Sequence, residues 1–161
     1  MMCRQAILLS GLFLVFLFGC LSREVEHQVL ERGGQAGAAL SESLFAVVNT
    51  QEEFDGLYRK IHSGEIPPPN PPAVDFSKSF ILVASLGEKP TAGYSVEIGR
   101  VFREGPRLVV EVRHVEPSPD RMLATVITRP YALVRIERQS GLEKVVFVDP
   151  DGKRLAEMPL S

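Results

Sequence analysis

After residue 79 the chain is written almost wholly as short β-strands, and this limits its fold more than any other feature. Phe80-Ile81-Leu82-Val83-Ala84 is apolar on both parities, the pattern of a central strand covered on both faces. Farther on the period is two. Val96 and Ile98 flank Glu97, and Gly99 behind them marks a bulge. Leu108, Val110 and Val112 alternate with Glu111 and Arg113, and Ala132, Val134 and Ile136 alternate with Arg135 and Glu137. Val145-Val146-Phe147-Val148 runs into Asp149-Pro150-Asp151-Gly152, a strong turn signal, and residues 153–158 return as an edge strand. Upstream, Leu44-Phe45-Ala46-Val47-Val48 reads as a first strand.

A single helix interrupts this pattern. Thr50 caps it and Glu53 completes a capping box. Phe54, Leu57, Tyr58 and Ile61 fall on one face at i, i+3, i+4 and i+7. Gly64 suits the C-terminal cap, which places the helix over residues 50–63. The run Ile66-Pro67-Pro68-Pro69-Asn70-Pro71-Pro72 excludes helix and central strand, because proline fixes φ and lacks an N–H. It reads as a stiff connector in preference to a polyproline ligand. The fold class expected is mainly β (α+β), a compact β-sandwich or barrel with one N-terminal amphipathic helix.

The N-terminus is not part of that fold. Arg4 precedes an apolar run from Ala6 to Phe18, and Gly19-Cys20 is followed by polar Ser22-Arg23-Glu24-Val25-Glu26-His27. That order is the pattern of an export signal, and the run is shorter than the ~20 residues of a spanning helix. Leu17-Phe18-Gly19-Cys20 resembles the bacterial lipobox, which implies cleavage before Cys20 and lipidation of its thiol. Plain secretion and an uncleaved anchor are the alternatives, but no Ala-x-Ala-like site is evident. Three segments follow: a lipoprotein signal peptide over 1–19, a flexible tether over 20–43, and a mostly β domain over 44–161. Val25, Val29 and Leu30 suggest at most a marginal helix within the tether. Leu21 lacks the Asp associated with inner-membrane retention, which favours the outer membrane where the host has one.

Beyond Cys3 and Cys20 there is no cysteine, so the domain has no internal disulfide and rests on packing alone. Roughly 140 residues suffice for one such core. A net charge of −2 and the absence of clustered aromatics and arginines argue against a nucleic-acid partner. His27, His62 and His114 have no neighbours at metal-ligand spacing; His62 is accounted for by the helix dipole. Neither Gly-x-Ser-x-Gly nor Ser-x-x-Lys occurs, and Asp149 and Asp151 lack the remaining positions of a calcium loop. No enzyme, metal or cofactor is expected.

Two segments exceed scaffold. In Gly87-Glu88-Lys89-Pro90-Thr91-Ala92-Gly93-Tyr94, Pro90 stiffens the chain, Gly93 permits φ > 0 and Tyr94 offers an aromatic body with a polar tip. Thr128-Arg129-Pro130-Tyr131 sets an Arg and a Tyr about a rigid proline, and both types are favoured interface anchors. On composition alone, a plain turn with its tyrosine against the sandwich edge is the preferred account of each.

Residues 86–96 resemble the signature loop of the PrcB-like protease-complex subunit family, with its Pro-Thr-Gly-Gly-Tyr core. Pro117-Ser118-Pro119 followed by Val126-Ile127-Thr128-Arg129-Pro130-Tyr131 is similar to the same family's second signature. Ala92 stands where the family usually has Gly, and it would strain the loop if its φ were positive. The resemblance covers about residues 80–136. It implies a lipoprotein that associates with and stabilises an exported protease, with Lys89, Pro90, Thr91, Ala92, Gly93, Tyr94, Arg129, Pro130 and Tyr131 as the protein-binding residues. The same loops are similar to two loops of chagasin-like cysteine-protease inhibitors, with Tyr131 in place of a Trp. That likeness implies direct inhibition instead; a structural envelope lipoprotein is the third reading.

Overall fold

A computed structural model describes residues 22–160 apart from Pro119 and Arg121. Cys20 and the signal segment lie outside the described residues. Among the described residues, nine strands form two sheets. The first has the order β1-β5-β6-β8-β9, the second β2-β7-β4-β3. In chain order they are β1 (Arg23–Glu24), β2 (His27–Gly33), β3 (Leu44–Val48), β4 (Ser79–Ser85), β5 (Ser95–Glu104), β6 (Arg107–Val115), β7 (Tyr131–Glu137), β8 (Lys144–Val148) and β9 (Arg154–Pro159). One helix, α1 (Gln51–Ile61), and a short 3-10 turn at Ala38–Leu40 complete the architecture. The expected sandwich is observed, and no barrel closes.

Period-two patterning sets the layers. Phe80, Leu82, Ala84, Val134 and Ile136 face Val96, Ile98, Val101, Leu108, Val110, Val112, Val145 and Phe147 across the central core. The opposite parity of the second sheet, Ile81, Val83 and Leu133, packs under Phe54, Tyr58 and Ile61 of α1. Strand β4 is therefore buried along its whole length, as its apolar run demands. A fully buried Phe such as Phe54 contributes roughly 1.5–3 kcal/mol by transfer alone, and Phe54→Ala should cost about 3–5 kcal/mol with its cavity.

Helix α1 starts as expected. Thr50 Oγ1 accepts from the Glu53 N–H at 3.3 Å, while Glu53 Oε2 accepts from the Asn49 N–H at 3.0 Å, one residue beyond the usual box partner. It ends earlier than the expected residue 63. His62 closes it by donating its N–H to the Tyr58 carbonyl at 3.0 Å, and Gly64 does not take the positive φ of a glycine cap.

The expected flexible tether over 20–43 is overturned across its described part. Arg23 and Glu24 pair with Arg103 and Phe102, and β2 runs antiparallel to β7 from His27↔Ile136 to Gly33↔Tyr131. Val25, between the two strands, is 6% exposed and belongs to the central core. These residues close the side of the sandwich where β5 and β7 would otherwise leave open edges. Nor do Val25, Val29 and Leu30 form a helix. Strand β2 is an edge strand with polar residues on both parities, and one covered face leaves little pattern to read.

The bulge expected at Gly99 is present as a register shift between Ile98 and Val101. It brings Arg100 beside Glu111, whose carboxylate also receives Arg113. Strand β8 pairs parallel to β6, with β7 of the opposite sheet serving as the crossover between them.

Candidate functional site

The two singled-out segments meet at one end of the sandwich, where β4, β6 and β2 end and β5 and β7 begin. Their backbones pair directly. The Lys89 N–H donates to the Thr128 carbonyl at 2.8 Å, and the Thr128 N–H returns to the Lys89 carbonyl at 2.9 Å. Thr128 Oγ1 donates to the Thr91 carbonyl at 3.0 Å, and the Ala92 N–H donates to the Ala124 carbonyl at 3.1 Å. An ion pair spans the same junction, with Arg129 Nη2 2.7 Å from Glu88 Oε2. On its other flank Arg129 bonds the residues that follow β2, its N–H to the Gly34 carbonyl and its carbonyl to the Ala36 N–H.

Glycine is required at both ends of the first loop. Gly87 has φ +69°, and a Cβ there would lie 2.6 Å from the Glu42 carbonyl carbon. Gly93 has φ +93°, with a Cβ position 2.9 Å from Pro117 Cβ and 3.5 Å from Leu123 Cδ2. Both steric and backbone reasons exclude a side chain. Ala92, by contrast, carries no positive φ, so its methyl group does not strain the turn.

The expected site residues divide into two groups. Pro90 and Gly93 are exposed, Lys89, Thr91, Ala92 and Tyr94 are partly so, and Lys89 Nζ sits 5.7 Å from the centroid of the Tyr94 ring, within cation–π range. These six make a continuous surface. Pro130 and Tyr131 are buried and Arg129 is largely so; they hold that surface from behind. Tyr131, which the resemblance places among the protein-binding residues, is instead a core residue. It shares the parity of Leu133 and packs in the layer under α1, so the second loop offers no aromatic wedge of the kind a cysteine-protease inhibitor would insert.

Behind the loops lies a polar cluster that sequence reasoning missed. The Tyr131 hydroxyl donates to Glu31 Oε1. His62 is 5% exposed, with Nδ1 2.5 Å from Glu65 Oε1. Its Nε2 lies 3.1 Å from Glu31 Oε1, though without the alignment of a hydrogen bond. The Tyr58 ring packs against the His62 ring, tilted by 40°, with centroids 4.3 Å apart. Burial, then Glu31, pushes the Tyr58 hydroxyl up to about 12; the same causes, in the same order, raise Tyr131 further. Both tyrosines thus remain hydrogen-bond donors. The i, i+4 spacing of Tyr58 and His62 was the only trace of this cluster in the sequence; its carboxylates come from β2 and from beyond the helix.

The described residues, this cluster included, hold no group of three or more His, Cys, Asp or Glu able to bind a metal ion, and no described helix is long and apolar enough to cross a membrane. Residues 80–137, which are β4 to β7 with both loops, match the model of the family described as PrcB C-terminal. The resemblance carried by the two loop signatures therefore holds over that stretch. No curated protein and no solved structure matches the chain.

Proposed function

We propose, with the PrcB C-terminal match as premise, that this chain is a non-catalytic accessory subunit of an exported protease complex, anchored to the cell envelope through lipid on Cys20. The family match over 80–137 supports the association with a protease complex. The lipobox-like Leu17-Phe18-Gly19-Cys20 supports the anchor. The single observation that carries the binding role is the direct pairing of the two family signatures, Lys89 with Thr128. It turns separate motifs into one braced surface built from Lys89, Pro90, Thr91, Ala92, Gly93 and Tyr94.

A surface of this kind suits protein recognition. Its backbone is held by four hydrogen bonds and an ion pair behind it, so little conformational freedom is lost on docking. Tyr94 supplies apolar area with a polar tip, and Lys89 above it a charge. Arg129, Pro130 and Tyr131 serve as its brace.

The test is affinity purification from envelope extract, comparing the wild-type chain with Pro90→Ser plus Tyr94→Ala. Wild type should recover a protease that the double variant loses, with circular dichroism unchanged between the two. Equal recovery would make the loop scaffold and sink the binding role. Recovery of envelope proteins without any protease would sink the accessory-subunit reading. Release of Cys20→Ala into the soluble fraction tests the anchor.

A further inference from the structure

The loop end of the sandwich carries more apolar surface than Lys89–Tyr94 and Arg129–Tyr131 supply. Among the described residues, seven large apolar side chains stand exposed, and four of them gather here: Val115 (50%) at the end of β6, and Met122 (102%), Val126 (42%) and Ile127 (50%) in the segment that leads on to β7. Residues 122–128, Met-Leu-Ala-Thr-Val-Ile-Thr, contain no charge. The segment is laid across the signature loop. Val115 pairs with Ser95, Leu123 and Pro117 pack at Gly93, the Ala124 carbonyl receives the Ala92 N–H, and Thr128 pairs with Lys89. An uncharged, β-prone apolar run left open to water invites association.

Two surfaces could cover such a run on an anchored protein, a bilayer or another protein, and strand direction decides between them. Ser22 is two residues from Cys20, so covalent geometry keeps them within about 7 Å of each other. Arg23 then pairs with Arg103 near the far end of β5, whereas the loops adjoin Ser95 at its start. Eight residues of strand separate the two positions, about 26 Å at ~3.3 Å per residue. The anchor enters at one pole and the apolar run occupies the other.

We infer that Val115, Met122, Val126 and Ile127, with Tyr94 and Pro90 beside them, form a docking pole held away from the membrane, and that its occupant is a folded exported protein presenting an uncharged apolar surface. The inference deepens the proposed function and rests on it for the anchor at Cys20. It assigns the main contact area to Val115, Met122, Val126 and Ile127 rather than to Lys89–Tyr94 alone, which becomes its rim, with Arg129, Pro130 and Tyr131 as its brace.

The experiment has two arms, both on the lipidated full chain. In the first, a bimane fluorophore is placed at Ile127→Cys or at Ser140→Cys, which neighbours Arg23 at the opposite pole. The protein is reconstituted into phosphatidylethanolamine–phosphatidylglycerol vesicles with brominated acyl chains. Quenching should be at least threefold stronger at 140 than at 127; equal or stronger quenching at 127 would put the apolar run on lipid and overturn the proposal. In the second arm, Met122→Asp plus Ile127→Asp should lower recovery of the wild-type partner at least tenfold, and a photo-cross-linker at 127 should map to apolar residues of that same partner. Undiminished recovery, or an adduct only to a second copy of this chain, would overturn it. A partner that maps to 127 but is not a protease would count against the accessory-subunit reading and leave the pole standing.

Discussion

The hydroxyl of Tyr131 donates to Glu31 Oε1 across a hundred residues of sequence, tying the first residue of β7 to the edge strand β2. Tyr131→Phe should keep the ring packing and lose the bond. A hydrogen bond to a carboxylate is worth roughly 1.5–3 kcal/mol, and Glu31 is partly solvated, so a loss near the lower figure is expected in urea denaturation. Tyr131→Ala, which also empties the site, should lose about 3–5 kcal/mol.

The two buried tyrosines set an alkaline limit. In the folded chain the Tyr58 hydroxyl is raised to about 12 and Tyr131 is raised further, by burial and then by Glu31. The folded state therefore keeps protons that the unfolded state releases at about 10, and stability falls as pH rises. Their contribution is complete below about pH 10 and drains away above it, through about 12 for Tyr58 and beyond that for Tyr131. Denaturation midpoints across that range, with Tyr58→Phe as comparison, should show a smaller decline in the variant.

An opposite dependence is expected from Glu111. Burial alone would raise its carboxyl, but Arg113 and Arg100 outweigh it and hold the group below the usual carboxylate range. The unfolded state takes up a proton first as pH falls, so the contribution is present above about 4.5 and is lost through more acid pH. Glu111→Gln should be less stable than wild type at neutral pH, and the gap should narrow toward pH 3.

Gly87 and Gly105 share a left-handed backbone, with φ +69° and +60°, yet differ in surroundings. A Cβ at Gly87 meets backbone atoms of Ser41 and Glu42, whereas one at Gly105 meets nothing within 4 Å. Gly105→Ala should cost about 1–2 kcal/mol. Gly87→Ala should cost more and displace the signature loop, visible as amide shift changes at Glu88 and Lys89.

Deletion of residues 22–33 should abolish cooperative unfolding, since it uncovers the edges of β5 and β7 and removes Val25 from the core. A true tether would be cut without effect. Calorimetry of the shortened chain distinguishes the two.

How legible each part was follows from what it buries. Strands β4 to β8 bury one or both parities, so their apolar spacing announced them, and α1 declared itself by its cap and its Phe54, Tyr58 and Ile61 stripe. Strand β2 was hidden because Glu31 and Arg32 find partners in Tyr131 and Glu97 and need no apolar alternation. The candidate surface was half legible. Gly93 and Pro90 mark a shaped loop, but the pairing of Lys89 with Thr128 is made by backbone atoms, which carry no residue signal. Tyr131 was misplaced although its parity with Leu133 pointed inward.

The parallel seat of β8 between β6 and β9 has a consequence for how the chain is made. Emerging N-terminus first from a ribosome, it can assemble β2, β3, β4 and β7 while β6 still lacks its second neighbour. Only when residues 144–159 have followed does β6 gain that neighbour, and a chain stalled before them leaves one edge of β6 unpaired.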